Sequence, residues 1–224
     1  MTHIGIIMDG NRRWARARYM PAIFWHKAWF DNVQTITREA KHAWVTHLTI
    51  WALSTENFKK RDRDEISGII RLIHHVPKLL PEFQKEWVKL QVIGDISQLP
   101  QDTQDLLSDI QLQTQENTWI ILTVALVYGW QDEIVRATKR IISTWVDPDS
   151  LDEETFRTYL DTAILPPIDM IIRTGWDIRH SWFLLYDSAY SEYYFTHKKW
   201  PEFDVDELRN ALRQLDGSKR NFWK

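Results

Sequence analysis

The sequence predicts an α/β fold: one Rossmann-like domain over residues 1–224, with a mostly parallel sheet and helices on both faces. Three observations predict it. Short β-rich runs alternate with longer helical stretches, the pattern left by parallel strands joined through crossover helices. The 224 residues are enough for one sizeable core. No repeat, low-complexity stretch or long linker divides the chain.

Each element has a local reason. Runs rich in β-branched and apolar residues predict strands over Ile4–Met8, His47–Leu53, Val88–Ile93, Ile120–Val127 and Met170–Arg173. Between and after them, helical periodicity and acidic starts predict helices over Asp31–Ala43, Glu65–Leu80, Asp102–Gln115, Asp132–Thr144 and Asp204–Leu215. The segment from Asp147 to Pro167 reads as loop, with a short helix over Glu153–Tyr159.

Bulk chemistry narrows the function. A net charge of −3 gives no footprint for sequence-independent nucleic-acid binding. With no Cys there is no disulfide framework, no Cys-ligated zinc and no thiol nucleophile, which fits a reducing compartment. The first apolar run meets Asp9 and Arg12 too soon for a signal peptide or a spanning helix, so a mature cytoplasmic protein is expected.

In a doubly wound sheet the ligand sits outside the carboxyl ends of the strands. The segments that follow the strands are Asp9-Gly10-Asn11-Arg12-Arg13-Trp14, Ser54-Thr55-Glu56-Asn57-Phe58, Tyr128-Gly129-Trp130 and Arg173-Thr174-Gly175-Trp176-Asp177-Ile178-Arg179. They are polar, contain Gly and are partly cationic. A helix start with Arg beside it makes a phosphate cradle of the first. Arg173 and Arg179, with the Ser181 hydroxyl, could grip a second phosphate, and Asp9 and Glu192 are the carboxylates suited to a Mg²⁺ bridging such oxygens. Each feature also has an ordinary reading: Asp-Gly-Asn as a turn, Ser-Thr-Glu as a helix cap, His26 as a hydrogen-bonded structural residue. Their convergence on one edge points to a Mg²⁺-dependent phosphate or diphosphate site.

Longer motifs add a resemblance. Ile6-Ile7-Met8-Asp9-Gly10-Asn11-Arg12-Arg13-Trp14-Ala15, His26-Lys27-Ala28, Ser54-Thr55-Glu56-Asn57-Phe58, Ile172-Arg173-Thr174-Gly175 with Arg179, and Ala189-Tyr190-Ser191-Glu192-Tyr193-Tyr194-Phe195-Thr196 occur in that order. With Val92-Ile93-Gly94-Asp95 and Trp200-Pro201-Glu202-Phe203 they resemble the cis-prenyltransferases, the undecaprenyl diphosphate synthase family, over nearly the whole chain.

The resemblance implies a Mg²⁺-dependent transferase that condenses isopentenyl diphosphate with an allylic diphosphate, typically farnesyl diphosphate, in cis configuration. Its product would be a polyprenyl diphosphate such as the undecaprenyl carrier lipid of cell-wall synthesis. Asp9 would hold the metal and assist departure of the allylic diphosphate, and Asn57 would relay the proton lost after condensation. Gly10, Asn11, Arg12, Arg13, Trp14 and His26 would bind the allylic substrate. Arg173, Arg179 and Ser181 would hold the isopentenyl diphosphate, with Ser54, Thr55, Glu56, Phe58, Lys60 and His180 also at the substrates and Glu192 completing the metal site. An apolar tunnel between sheet and helices would shelter the growing chain. A homodimer, and peripheral membrane association through the lipid product, are also implied. The alternatives on the same fold are a short-chain cis-prenyl diphosphate synthase and a non-catalytic prenyltransferase subunit. Asp9 and Asn57 favour an active enzyme. Arg12 replaces a usual Gly, Ala22 a usual phosphate-binding Arg, Phe58 a common Trp and Lys60 a common Arg.

The composition departs from the fold's needs at one point. The chain has 7 Gly and 13 Trp, where ordinary usage of about 7% would give roughly 16 Gly. Trp14, Trp51 and Trp200 stand where relatives have an aromatic residue. Trp25, Trp29, Trp44, Trp87, Trp119, Trp130, Trp145, Trp176, Trp182 and Trp223 mostly stand where relatives have Gly. Trp44, Trp87 and Trp145 each follow a helix and precede Val, the position where left-handed geometry favours Gly. Trp130 and Trp176 each follow a Gly in phosphate-facing loops. This placement predicts a gene in which UGA encodes Gly and has been rendered as Trp.

Overall fold

The computed structural model describes residues 1–20 and 22–218, and the side chains of residues 22–26 lie outside that description. Six parallel strands form one sheet in the order β3-β4-β2-β1-β5-β6: β1 His3–Ile7, β2 His47–Trp51, β3 Val88–Ile93, β4 Ile120–Ala125, β5 Met170–Arg173 and β6 Glu192–Phe195. The α/β, Rossmann-like expectation holds. All five predicted strands are present within one or two residues of their expected ends. β4 stops at Ala125 rather than Val127, because Val127 takes a left-handed φ of 47° and turns the chain out of the ladder. The sixth strand was not anticipated. It is a four-residue edge strand whose side chains are only half-buried or exposed, so it lacks the apolar run that marks the central strands.

The helices are α1 Asn11–Arg16, α2 Ala22–His42, α3 Thr55–Lys60, α4 Arg63–Ile73, α5 Leu80–Lys85, α6 Gln101–Gln113, α7 Trp130–Ser143, α8 Glu153–Arg157 and α9 Val205–Gly217. α2 begins well before Asp31. That residue looks like a cap in the sequence, but it lies mid-helix and pairs with Lys27 at 2.8 Å, an i,i+4 contact. The single helix predicted over Glu65–Leu80 is broken. Pro77 cannot donate to a helical ladder and biases Val76 away from helix, so α4 ends at Ile73 and a 3₁₀ turn, Val76–Leu79, leads into α5.

Alternation along the strands sorts the core. Ile4, Ile6, Leu48, Ile50, Leu90 and Leu122 face α2, α5, α6 and α9 through Val33, Ile36, Phe83, Ile110, Leu208 and Ala211. Ile7, Ile93, Ala125 and Ile171 face the other way, against Leu165, Ile168, Phe183 and Leu184 of the largely irregular segment that flanks β5. Among the described residues, no helix is long and apolar enough to cross a membrane.

Candidate active site

The carboxyl ends of β1, β2, β4 and β5 open into a cavity of about 1010 Å³. β1 delivers Asp9. Gly10 then takes a left-handed φ of 93°, which lets the chain turn at once into α1. The Asp9 backbone is clamped: its carbonyl accepts from Trp200 N–H at 3.0 Å and from the Thr174 hydroxyl at 2.8 Å. Gly175 passes so close that a Cβ there would lie 2.8 Å from the Asp9 carbonyl carbon. Asp9 Oδ1 accepts from Gly10 N–H at 2.9 Å and Oδ2 from Arg173 Nη2 at 2.8 Å.

Arg173 is the last residue of β5 and almost wholly buried. Besides Asp9 it donates through Nη1 to the Arg179 carbonyl at 2.7 Å and to Ser181 Oγ at 2.6 Å. One guanidinium thus fixes both Asp9 and the loop that carries Arg179 and Ser181. Asp177, which the sequence reading left without a role, accepts from Arg13 at 3.0 Å and from Arg179 at 2.9 Å. Burial pushes its carboxyl up, but Arg179, Arg13 and Arg173 outweigh this and hold it below the usual range. The latch joins the two predicted phosphate grips.

On the β2 side, the main chain around Ser54 bridges to Tyr128, and Thr55 N–H donates to the Tyr128 carbonyl at 3.1 Å. Ser54 Oγ accepts from Asn57 N–H at 3.0 Å and so caps α3, while also lining the cavity. Glu56 and Asn57 are exposed and line the mouth. The cavity wall carries Arg12, Arg13, Arg16, Lys59, Arg61, Arg173 and Arg179 against Asp9, Glu56 and Asp132. A chain of net charge −3 therefore concentrates positive charge at this edge, where anionic groups would gather. Burial and neighbouring Arg12 push the Arg61 guanidinium down from its ordinary value. Glu65 holds Arg12 in an ion pair and lies 3.7 Å from Arg61. Inward from the mouth the wall turns apolar, through Ile50, Leu79, Phe83, Leu90 and Leu122.

Several expected contacts fall elsewhere. Glu192 starts β6 in register with Met170, which is in register with Ile4. It is therefore at the amino end of the sheet, five residues below Asp9, roughly 16 Å away along a strand. The two do not share a metal within one chain. Thr55 does line the cavity, but its side chain is buried and its hydroxyl is taken up in donating to the Val127 carbonyl at 3.0 Å. Phe58 packs with Leu53, Ile69 and Ile73, and Lys60 points into solvent; neither lines the cavity. Trp14 lies outside the lining, under the Arg18 guanidinium at 4.6 Å. His180 accepts from Trp182 N–H at 3.0 Å and is also outside it. His26 lies outside the described side chains. Lys59 and Arg61 were missed; their only sequence signal was membership of the basic run after Asn57.

Comparisons with known proteins agree with this geometry. Residues 7–223 match the family model described as "Putative undecaprenyl diphosphate synthase". The chain is similar to an isoprenyl transferase of Streptococcus agalactiae serotype III, at 41% identity with 98% of this chain and 91% of that protein covered. It is 42% identical to one of Streptococcus pyogenes serotype M3, with 99% and 92% covered. Its fold is similar to lavandulyl diphosphate synthase from Lavandula x intermedia, solved in complex with dimethylallyl diphosphate, at TM-score 0.92 and 31% identity, with 100% of this chain and 98% of that chain covered. It is also similar to a probable undecaprenyl diphosphate synthase from Campylobacter jejuni, at TM-score 0.83 and 28% identity, with 100% and 99% covered. The chain belongs to the undecaprenyl diphosphate synthase family of isoprenyl transferases, enzymes that act on prenyl diphosphates.

Proposed function

We propose that this transferase condenses isopentenyl diphosphate with farnesyl diphosphate, adding cis units until it releases a long polyprenyl diphosphate of the undecaprenyl class. The observation that supports this reading is a cavity that joins a cationic mouth to an apolar interior. Its volume, about 1010 Å³, is at the top of the range of roughly 300–1,000 Å³ that drug-sized ligands need. Diphosphates suit the arginines, and a water-excluding wall suits an extending hydrocarbon.

Mg²⁺ fits the donors at the mouth. The Asp9 side chain is 37% exposed and gives a hard oxygen ligand, and Asn11 Oδ1 is a buried acceptor with no partner. Mg²⁺ takes one or two carboxylates and completes its shell with phosphate oxygens and water. Bound there, Mg²⁺ would neutralise charge developing on the departing diphosphate. Arg12 and Arg13 would orient the allylic diphosphate. Arg173, Arg179 and Ser181 would hold the isopentenyl diphosphate, and Asn57 would sit at the proton that leaves. Association as a homodimer in the cytoplasm, with the lipid product drawing the enzyme to a membrane surface, completes the proposal.

Incubating the purified protein with Mg²⁺, farnesyl diphosphate and labelled isopentenyl diphosphate tests it. Long products support the proposal. Products with one or two added units make it a short-chain synthase, and no product unless a second subunit is added makes it a non-catalytic member.

A further inference from the structure

Nine described residues other than Gly adopt left-handed φ, and five are Trp: Trp44 at 61°, Trp87 at 52°, Trp145 at 54°, Trp176 at 81° and Trp182 at 59°. Side chains with a Cβ clash with the backbone in this region, and a bulky one has no local hydrogen bond to offset the clash. Gly10, Gly94 and Gly175 occupy the same region without that cost.

Hydrogen bonds show what the positions are built for. After α2, Trp44 N–H donates to the Lys41 carbonyl and Val45 N–H to the Ala40 carbonyl, both at 3.0 Å. After α7, Trp145 N–H reaches Ile142 at 3.3 Å and Val146 N–H reaches Ile141 at 3.4 Å. These paired bonds are the Schellman closure of a helix, whose left-handed residue is usually Gly. Trp87 closes α5 with its N–H on Gln84 at 3.2 Å. Trp176 and Trp182 bracket the loop that carries Arg179 and Ser181.

Packing does not repay the strain at the helix ends, although Trp176 meets the His197 ring and Trp182 the His180 ring, both at 4.1 Å. Trp44 is 81% exposed, Trp145 92% and Trp176 67%. The five do not form one aromatic patch either. Helix ends lie at the amino edge of a parallel sheet, whereas Trp176 and Trp182 follow β5 at the carboxyl edge. The Trp residues at aromatic positions behave differently. Trp200 is fully buried and donates to the Trp29 carbonyl at 3.1 Å, and Trp51 stacks on Phe183 at 4.8 Å and donates to the Tyr128 carbonyl at 3.1 Å. Trp14, Trp51 and Trp200 all have ordinary φ.

We propose that positions 44, 87, 145, 176 and 182 carry Gly in the cell that makes this protein, inserted at UGA codons that standard decoding renders as Trp. Backbone angle identifies these five independently of any relative. Trp29, Trp119 and Trp130 have ordinary φ, so for them the same reading rests on sequence position alone; the side chain of Trp25, and Trp223, lie outside the description. The inference reaches the active site, because Trp182 lines the cavity. Gly at position 182 would widen it.

Two experiments decide it. In the gene, UGA is expected at codons 44, 87, 145, 176 and 182, with UGG at 14, 51 and 200; UGG at all eight overturns the proposal. Independently, the variant W44G/W87G/W145G/W176G/W182G is expected to melt about 10 °C higher than the chain with Trp, or to fold where that chain does not. W51G and W200G serve as controls and are expected to melt lower. A five-Gly variant with an unchanged or lower midpoint overturns the claim that the backbone is built for Gly.

Discussion

Asp9 and Arg173, 164 residues apart in the chain, meet at 2.8 Å where β1 and β5 end. The Arg173 side chain is 5% exposed and the Asp9 side chain 37%, so a buried cation orients a carboxylate that still faces the cavity. Asp9→Asn is expected to lower kcat by about 10²–10³-fold. Because Arg173 keeps Arg179 and Ser181 as partners, the stability loss should be only about 1–2 kcal/mol. Steady-state kinetics beside thermal melts check this, and near-normal kcat would remove Asp9 from the chemistry. Arg173→Lys replaces two separated nitrogens, one on Asp9 and one on the Arg179–Ser181 loop, by a single point charge, and its KM for isopentenyl diphosphate is expected to rise at least about tenfold.

Asn57 and Thr55 are two residues apart and should fail differently. Asn57 is exposed at the mouth, so Asn57→Ala is expected to reduce kcat while leaving the melting midpoint within a degree or so. Thr55 is buried and donates to Val127, so Thr55→Val is expected to cost about 1 kcal/mol of stability. Equal loss of stability in both variants would contradict the division.

Glu133 is buried and accepts from the Tyr128 hydroxyl at 2.6 Å and from Thr162 N–H at 3.0 Å. Burial outweighs these bonds and raises its carboxyl to about 7. The native state therefore binds a proton that the unfolded chain releases near pH 4.5. Stability from this group is full below that pH and is lost as pH rises through about 7. Glu133→Gln is expected to lose less stability than the parent between pH 5.5 and 8, a difference of about 2 kcal/mol. Parallel pH–melting curves for the two proteins would refute it.

His3 titrates with the opposite sign. Its ring lies between the Pro166 carbonyl and Thr49 Oγ1, both at 2.8 Å, and burial lowers its pKa to about 4. The unfolded chain takes up a proton near pH 6.5 that the native state refuses, so stability is full above 6.5 and falls as pH drops toward 4. At pH 5 the loss should be about 2 kcal/mol. His3→Asn, which cannot titrate, is expected to flatten this limb of the denaturant-unfolding profile.

Periodicity in the sequence determined the sheet. Central strands are apolar on both faces, and that signal survives without tertiary context, whereas β6 depends on β5 for its only pairing. Motif order determined the family and brought Asp9, Arg173, Arg179, Ser181, Glu56 and Asn57 to one cavity. Only the folded chain decided which neighbours face inward. On α3 the helical turn sends Asn57 and Lys59 to the mouth and Phe58 to the core, a sorting that adjacency in sequence hides. Parallel register likewise carried Glu192 to the far end of the sheet, because strand direction rather than motif membership sets its height. The Trp surplus was visible in composition. Its placement at helix stops and after Gly already pointed to Gly, and the folded backbone added the φ that separates an indole that packs from one standing where no Cβ belongs.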